Sequence, residues 1–258
     1  MSNPLIKNTE RIDDLIKGGL KIIQNDSAPR FAVDAIILAD FVAAKQQKSL
    51  RIADLGTGTG ILSLLLSDKF SSAHISAFEI MPQMADMASR SVELNNLQDR
   101  IKVYEADLKT APALLGAGSM DLIISNPPYF KANSGRENKS EVYTAARSEL
   151  YCTATDLFAV SFNLLKPQGS VFLIHRSSRA GEIIGGLEAS GLHVECLRAV
   201  QPKKESPSNL FMVKARRQGN GETIFMPPLI IYNDDGSYSE EMERIYGRNP
   251  VSGVNSNR

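Results

Sequence analysis

Four consecutive residues, Asn126-Pro127-Pro128-Tyr129, follow the apolar run 121–125. The amide oxygen of an asparagine and the carbonyl of the next proline make two acceptors aimed at one point, an arrangement that suits a planar NH2 group. Tyr129 adds a flat face on which a ring can lie. Upstream stands a second cluster, Asp54-Leu55-Gly56-Thr57-Gly58-Thr59-Gly60, between a strand-like 50–53 and a helix-like 61–66. Closely spaced glycines let a backbone approach a ligand. The spacing Gly56-x-Gly58-x-Gly60 is not that of dinucleotide folds, and the lysine of a phosphate loop is missing, which argues against ATP.

Three acids complete the pattern. Asp54 is placed to meet a cationic amino group, directly or through water. Glu79 closes the next strand-like segment, where a carboxylate can accept from both hydroxyls of a ribose. Asp107 follows the third, where its oxygen can accept from an adenine amino group. Ile80 and Leu108, next to these acids, are counted with the same site. Each feature also has a plain structural reading: a tight strand-to-helix turn for the glycines, a charge ahead of a helix N-terminus for Glu79, a simple aspartate turn for Asp107. Taken together the clusters describe a nucleoside-bearing cofactor held beside an amino group to be modified.

The elements that must position these residues alternate. Strands are expected at 50–54, 73–79, 101–105, 120–125, 170–175, 193–200 and 210–215. Helices are expected at 60–67, 82–96 (with Pro82 in its first turn), 155–165 and 180–189. Such alternation predicts an α/β fold: a seven-stranded, mostly parallel sheet with helices on both faces. Ligands of such sheets bind beyond the carboxyl ends of the strands, and every motif above sits at such an end. Ahead of this core, 11–16 and 20–23 flank a turn sequence, Lys17-Gly18-Gly19, and predict a hairpin. Asp34 is placed as the N-cap of a helix over 35–44. The segments 130–149 and 219–258 break the alternation. The first reads as a long polar loop beside the pocket, the second as an extension with a short helix at 238–246. The resulting division is 1–48, hairpin and lid helix; 49–217, core; 218–258, C-terminal extension.

Composition sets the bounds. The 258 residues carry 29 basic and 29 acidic side chains, so no global field draws in a nucleic acid and any such binding needs a local patch. Cys152 and Cys196 have neither metal-ligand nor disulfide spacing. No run is long and apolar enough for a membrane span, and no signal segment is seen, so a cytoplasmic protein without membrane partners is expected. The basic residues Arg198, Lys203, Lys204, Lys214, Arg216 and Arg217, with Glu205 the acid counted among them, form the candidate phosphate stripe. A charged, solvated surface is the alternative.

These residues resemble the class I S-adenosylmethionine-dependent methyltransferases, with a Rossmann-like fold. Asp54–Gly60 matches the glycine motif, Glu79 the ribose acid, Asp107 the adenine contact, and Asn126–Tyr129 the motif of amino-nitrogen methylases. The segments 31–38, 124–130, 146–147, 226–232 and 238–241 are similar to the bacterial tRNA(Val) adenine-37 N6-methyltransferase family. The resemblance implies S-adenosyl-L-methionine as cofactor, no metal, and an adenine of tRNA as acceptor, the anticodon-loop base being already unpaired. It implies acceptor contacts from Asn126, Pro127, Pro128 and Tyr129, with Asn126 also near the cofactor, and a cofactor-lid role for Asp34. Lys131, Arg147, Lys203 and Lys204 are the candidate RNA contacts, and a monomer is the expected state. Two readings compete. A protein glutamine side chain also presents a planar NH2, although its methylases carry a helical N-terminal domain for which 48 residues leave little room. A non-catalytic protein that binds cofactor and RNA is the other; a guanine or DNA adenine methylase would require a further recognition domain that is not apparent.

Overall fold

The structure, a computed structural model, describes residues 5–15, 19–26, 33–43, 49–127, 153–219 and 221–248. A hairpin comes first: β1 (Glu10–Asp14) and β2 (Lys21–Asn25) pair antiparallel, with Glu10 opposite Asn25. Then follow α1 (Val33–Phe41), β3 (Leu50–Leu55), α2 (Ile61–Lys69), β4 (Ala73–Glu79), α3 (Pro82–Leu94), β5 (Ile101–Glu105), α4 (Ala111–Leu115) and β6 (Met120–Ser125). After the undescribed 128–152 come α5 (Ala154–Leu164), β7 (Leu165–Arg176), α6 (Ala180–Ala189), β8 (His193–Gln201), β9 (Leu210–Arg216), β10 (Ile224–Ile230) and α7 (Glu240–Ile245).

Among the described residues the main sheet has eight strands, in the order β10-β8-β9-β7-β6-β3-β4-β5. Only β9 runs against its neighbours, so β7, β8 and β10 all deliver their carboxyl ends to the edge that β3, β4 and β6 also reach. The strand count corrects the expected seven. The eighth strand, β10, hides from pattern reading because five of its seven residues are exposed and it contains Pro227-Pro228. An edge strand needs only one neighbour, and prolines are tolerated there. The register of β10 on β8 shifts between Met226 and Leu229, the interval that holds the two prolines.

Buried on both faces, the central strands read as apolar runs rather than alternations. β6 is buried at all six positions, Met120–Ser125. Ile52, Leu122 and Ile124 join one core with α1, α2 and α7, while Ala53, Ile123 and Val171 join the other with α5 and α6. The hairpin is bolted to α3. Arg90 donates from both terminal nitrogens to Glu10 (2.7 Å each), and Ile23 N donates to the buried Ser91 Oγ (2.9 Å). A second correction concerns Asp34. The helix already begins at Val33, so Asp34 lies inside its first turn rather than at the cap, where its charge still meets the positive end of the helix.

Candidate active site

The turn after β3 is a backbone device. Gly56, Gly58 and Gly60 take φ of +79°, +60° and +92°, a region that side-chain-bearing residues rarely enter. At Gly60 a β-carbon would also press on Ala88 Cβ at 3.3 Å. The turn is tied to β4: Gly56 N and Thr57 N both donate to the Phe78 carbonyl (2.9 Å), and Gly58 N donates to Glu79 Oε2 (2.9 Å). Glu79 Oε1 accepts from Met81 N (2.9 Å), so the carboxylate is fixed from both sides. Each of its oxygens has lone-pair capacity for one more donor, and the residue lines a cavity.

Beneath the turn lies Asp54, fully buried at the end of β3. Its Oδ2 accepts from Thr57 Oγ1 (2.6 Å) and Ser63 Oγ (2.7 Å), whereas Oδ1 is buried with no hydrogen-bond partner. Burial pushes its pKa up to about 6 against the pull of the two hydroxyls, and the negative charge of Glu79 adds to the rise. A buried, unanswered carboxylate oxygen is costly unless a donor arrives.

Asp107 opens a short 3-10 turn. Its Oδ1 accepts from Lys109 N (2.9 Å) and its Oδ2 lies 3.3 Å from Lys109 Nζ. Glu79, Ile80, Asp107 and Leu108 line one side of a cavity of about 420 Å3, a volume in the range of small-molecule sites. Gly56 and Leu55 belong to the same wall, and Phe78 stacks on Tyr104 beside it (4.7 Å, 7° between planes).

β6 brings Ser125 and, two residues on, Pro127 to this cavity. Ser125 Oγ donates to the Leu55 carbonyl (2.6 Å), locking the end of β6 to the end of β3 just before the glycine turn. Asn126 follows directly, and Pro127 lines the cavity. Pro128, Tyr129, Lys131 and Arg147 lie outside the described residues. Asp34 is not among the cavity residues.

The opposite wall was not assembled from sequence. It comprises the start of α5 (Thr153–Thr155, Leu157, Phe158), Leu173 and His175 of β7, and Arg179, Glu182 and Ile183. One signal for it is legible: Thr153-x-x-Asp156 forms a capping box, with Asp156 N donating to Thr153 Oγ1 (3.2 Å) and Thr153 N to Asp156 Oδ2 (2.9 Å). His175 is buried, and its Nδ1 accepts from Arg176 N (2.9 Å). Burial and the charge of Arg179 push its pKa down to about 4.

The basic stripe is largely engaged within the protein. Arg198 forms a bidentate pair with Glu241 (2.9 and 2.7 Å), Lys214 meets Glu195 (2.7 Å), Arg216 reaches Gln168 (2.9 Å), and Arg217 lies over the Phe162 ring (4.6 Å). Lys203 and Lys204 are exposed on the turn between β8 and β9, Lys203 donating to the Asp234 carbonyl (3.0 Å). Among the described residues no helix is long and apolar enough to cross a membrane, and no three His, Cys, Asp or Glu side chains gather as a metal site.

Solved structures with this arrangement agree on its class. A predicted O-methyltransferase of Agrobacterium tumefaciens superimposes with a TM-score of 0.68 at 23% identity, over 86% of this chain and 100% of that one. A geranyl diphosphate C-methyltransferase of Streptomyces coelicolor gives 0.54 at 13% identity, over 71% and 75%. What the chain shares with them is the class I fold of S-adenosylmethionine-dependent methyltransferases. Its relation to one family is closer: the methyltransferase small domain profile matches residues 33–189, and the chain belongs to that family. The chain is also similar to proteins named tRNA1(Val) (adenine(37)-N6)-methyltransferase. The one from Porphyromonas gingivalis W83 is 28% identical over 232 residues, covering 87% of this chain and 89% of its own. That of Aeromonas hydrophila is 28% identical over 214 residues, covering 83% and 86%.

Proposed function

We propose that this methyltransferase moves the methyl group of S-adenosylmethionine to N6 of an adenine in tRNA, at position 37 of a valine tRNA, in the cytoplasm. The observation that carries this reading is Asn126-Pro127 at the cavity-side end of β6, locked one residue earlier to the turn that would hold the cofactor. The names of the relatives supply tRNA and the position.

In this reading Asp54 Oδ1 takes the ammonium group, the amides of Gly56, Thr57, Gly58 and Gly60 border the amino-acid portion, and Glu79 accepts from the ribose hydroxyls. Ile80 and Leu108 flank the cofactor's adenine, and Asp107 takes its amino group. When bound, S-adenosylmethionine supplies an electrophilic methyl on a sulfonium. The acceptor nitrogen is a poor nucleophile because its lone pair is conjugated into the purine. Asn126 Oδ1 and the Pro127 carbonyl each accept one of its N–H bonds, favouring a pyramidal nitrogen whose lone pair points at the methyl. Positive charge grows on that nitrogen as the N–C bond forms and the S–C bond breaks, so both acceptors bind the transition state more tightly than the ground state. The proton then leaves a nitrogen that is already acidic, and no dedicated base is required. Pro128 stiffens the turn, and stacking on Tyr129 contributes about 1–3 kcal/mol, as aromatic stacks on bases do. Residues 49–217 form the catalytic core, the segments on either side serving as appendages, with Asp34 beside the cofactor. Lys131, Arg147, Lys203 and Lys204 meet RNA phosphates.

The test is transfer of labelled methyl to total tRNA stripped of modifications, followed by nucleoside mass analysis. N6-methyladenosine is expected, with activity reduced about 100-fold or more in Asn126→Ala and cofactor affinity nearly unchanged. Labelled protein beside unlabelled RNA would instead point to a glutamine acceptor.

A further inference from the structure

The wall facing Glu79 and Asp107 holds several polar side chains that the reaction above does not use, and among them His175 is the one buried on β7. β6 and β7 are parallel, with Ser125 level with Leu173. β6 ends at Ser125, and Pro127, two residues on, lines the same cavity as His175, which lies two residues past Leu173 on β7. Alternation along β7 fixes the face. Leu173 and His175 both line the cavity, whereas Ile174 between them packs into the opposite core. His175 therefore faces the cavity that Pro127 lines.

We infer that His175 donates its Nε2–H to a ring nitrogen flanking the acceptor amino group, and so reads the base as adenine. This rests on the proposed adenine reading and names a determinant of it. The tautomer follows from the backbone: Nδ1 accepts from Arg176 N, so a neutral ring carries its proton on Nε2. The ring stays neutral across the physiological range, since burial and the nearby Arg179 oppose a second proton more strongly than Glu182 favours it. Arg179 Nε is itself held by Glu182 Oε2 at 2.8 Å. With Asn126 and Pro127 accepting both amino hydrogens, a neighbouring donor needs an acceptor on the ring. Adenine has one on each flank, N1 and N7. Guanine's amino group is flanked by N1–H on one side and by N3 on the other, so a donor on the N1 flank meets another donor there and rejects guanine. A site built around a hydrogen bond rejects partners that cannot make it far better than an apolar pocket does.

The experiment uses synthetic anticodon stem-loops carrying adenosine, 1-deazaadenosine or 7-deazaadenosine at the acceptor position, with wild type, His175→Leu and His175→Gln. Readouts are kcat, KM, S-adenosylmethionine Kd and Tm. For wild type, one of the two deaza substrates is expected to lose about tenfold or more in kcat/KM. On adenosine, His175→Leu loses a similar factor with the cofactor Kd unchanged, and His175→Gln, which keeps an N–H donor, recovers part of it. On the deaza substrate that wild type rejects, the leucine penalty should vanish, the non-additivity expected of two partners in one bond. If wild type treats all three bases alike, or if the leucine penalty is the same on all three, the inference is overturned while the adenine reading stands. Because the wild-type comparison needs no variant, misfolding of His175→Leu does not blunt the test. If wild type transfers methyl to none of the adenosine RNAs, the adenine reading falls and takes this inference with it.

Discussion

The two walls of the cavity are built on different terms. On the side of the glycine turn the polar side chains of the wall, and Asp54 buried beneath that turn, are braced by the fold. Glu79 accepts two backbone amides, Asp54 two hydroxyls, and Asp107 the amide of Lys109. The opposite wall mixes apolar side chains with Thr153, Thr155, a neutral histidine and an ion pair at Arg179–Glu182, and it continues into residues beyond the described set. The contrast follows from the ligands. A cofactor is the same at every turnover, so its contacts can be fixed in advance and its ordering cost lowered. A large acceptor must enter and leave, and groups that meet it cannot all be committed beforehand.

The largest break in this contrast should come from Glu79. Glu79→Ala removes the brace of the glycine turn together with the ribose acceptor. S-adenosylmethionine Kd should rise about 30- to 100-fold, equivalent to roughly 2–3 kcal/mol for hydrogen bonds to a charged group, read by calorimetry. A change confined to kcat would contradict the division of labour between the walls.

A smaller effect is expected from pH. Asp54 titrates near 6 when folded, above its ordinary value of 3.8. Between about pH 4 and 6 the native protein thus keeps a proton that the unfolded chain has released, and this group's contribution to stability falls as pH rises through that window. A cationic partner reverses the preference. Binding of S-adenosylmethionine should release a proton near pH 5.5 and tighten up to about tenfold between pH 5 and 7, as calorimetry in buffers of different ionisation enthalpy would show. Asp54→Asn should flatten that slope. A slope that persists in the variant would place the titrating group elsewhere.

The smallest effect belongs to the join between the walls. Ser125→Ala deletes the bond to the Leu55 carbonyl and leaves that oxygen short of a buried donor. Denaturant unfolding should show a loss of about 1 kcal/mol. Methyl transfer should fall a few-fold with cofactor Kd unchanged, since the displaced part is β6 and the turn is still held by Phe78 and Glu79.

The contrast also explains what could be read from sequence. Strands β3 to β6 and the helices between them are local patterns closed by glycine, proline and acid signals, and the sheet built from them was legible. Glu79 and Asp107, which the sequence places at or just past strand ends, do line the cavity. The wall that carries His175 is assembled by a register: Ser125 pairs with Leu173 across 48 residues of sequence, which brings the ends of β6 and β7 to one cavity. Similarly, Arg198 and Lys214 read as a free basic stripe because Glu241 and Glu195 reach them only through β10, α7 and the β8–β9 pairing. β10 itself, exposed at five of its seven positions and broken by two prolines, shows no alternation to mark it as a strand. Asp34 was displaced from the cap position by a helix that starts one residue earlier.

Those two prolines have a further consequence, for solubility. The open edge of a sheet is a template on which another chain can grow. Ile224, Phe225 and Met226 are exposed on that edge, an adhesive sequence by composition. Pro227 and Pro228 follow at once, remove two N–H donors and throw the register out of step. A chain ending before Ile224 would leave β8 as the rim instead. That strand runs nine residues, His193–Gln201, with no proline to interrupt a ladder. The C-terminal segment thus works as a selvage, finishing the weave so that it does not extend into its neighbour.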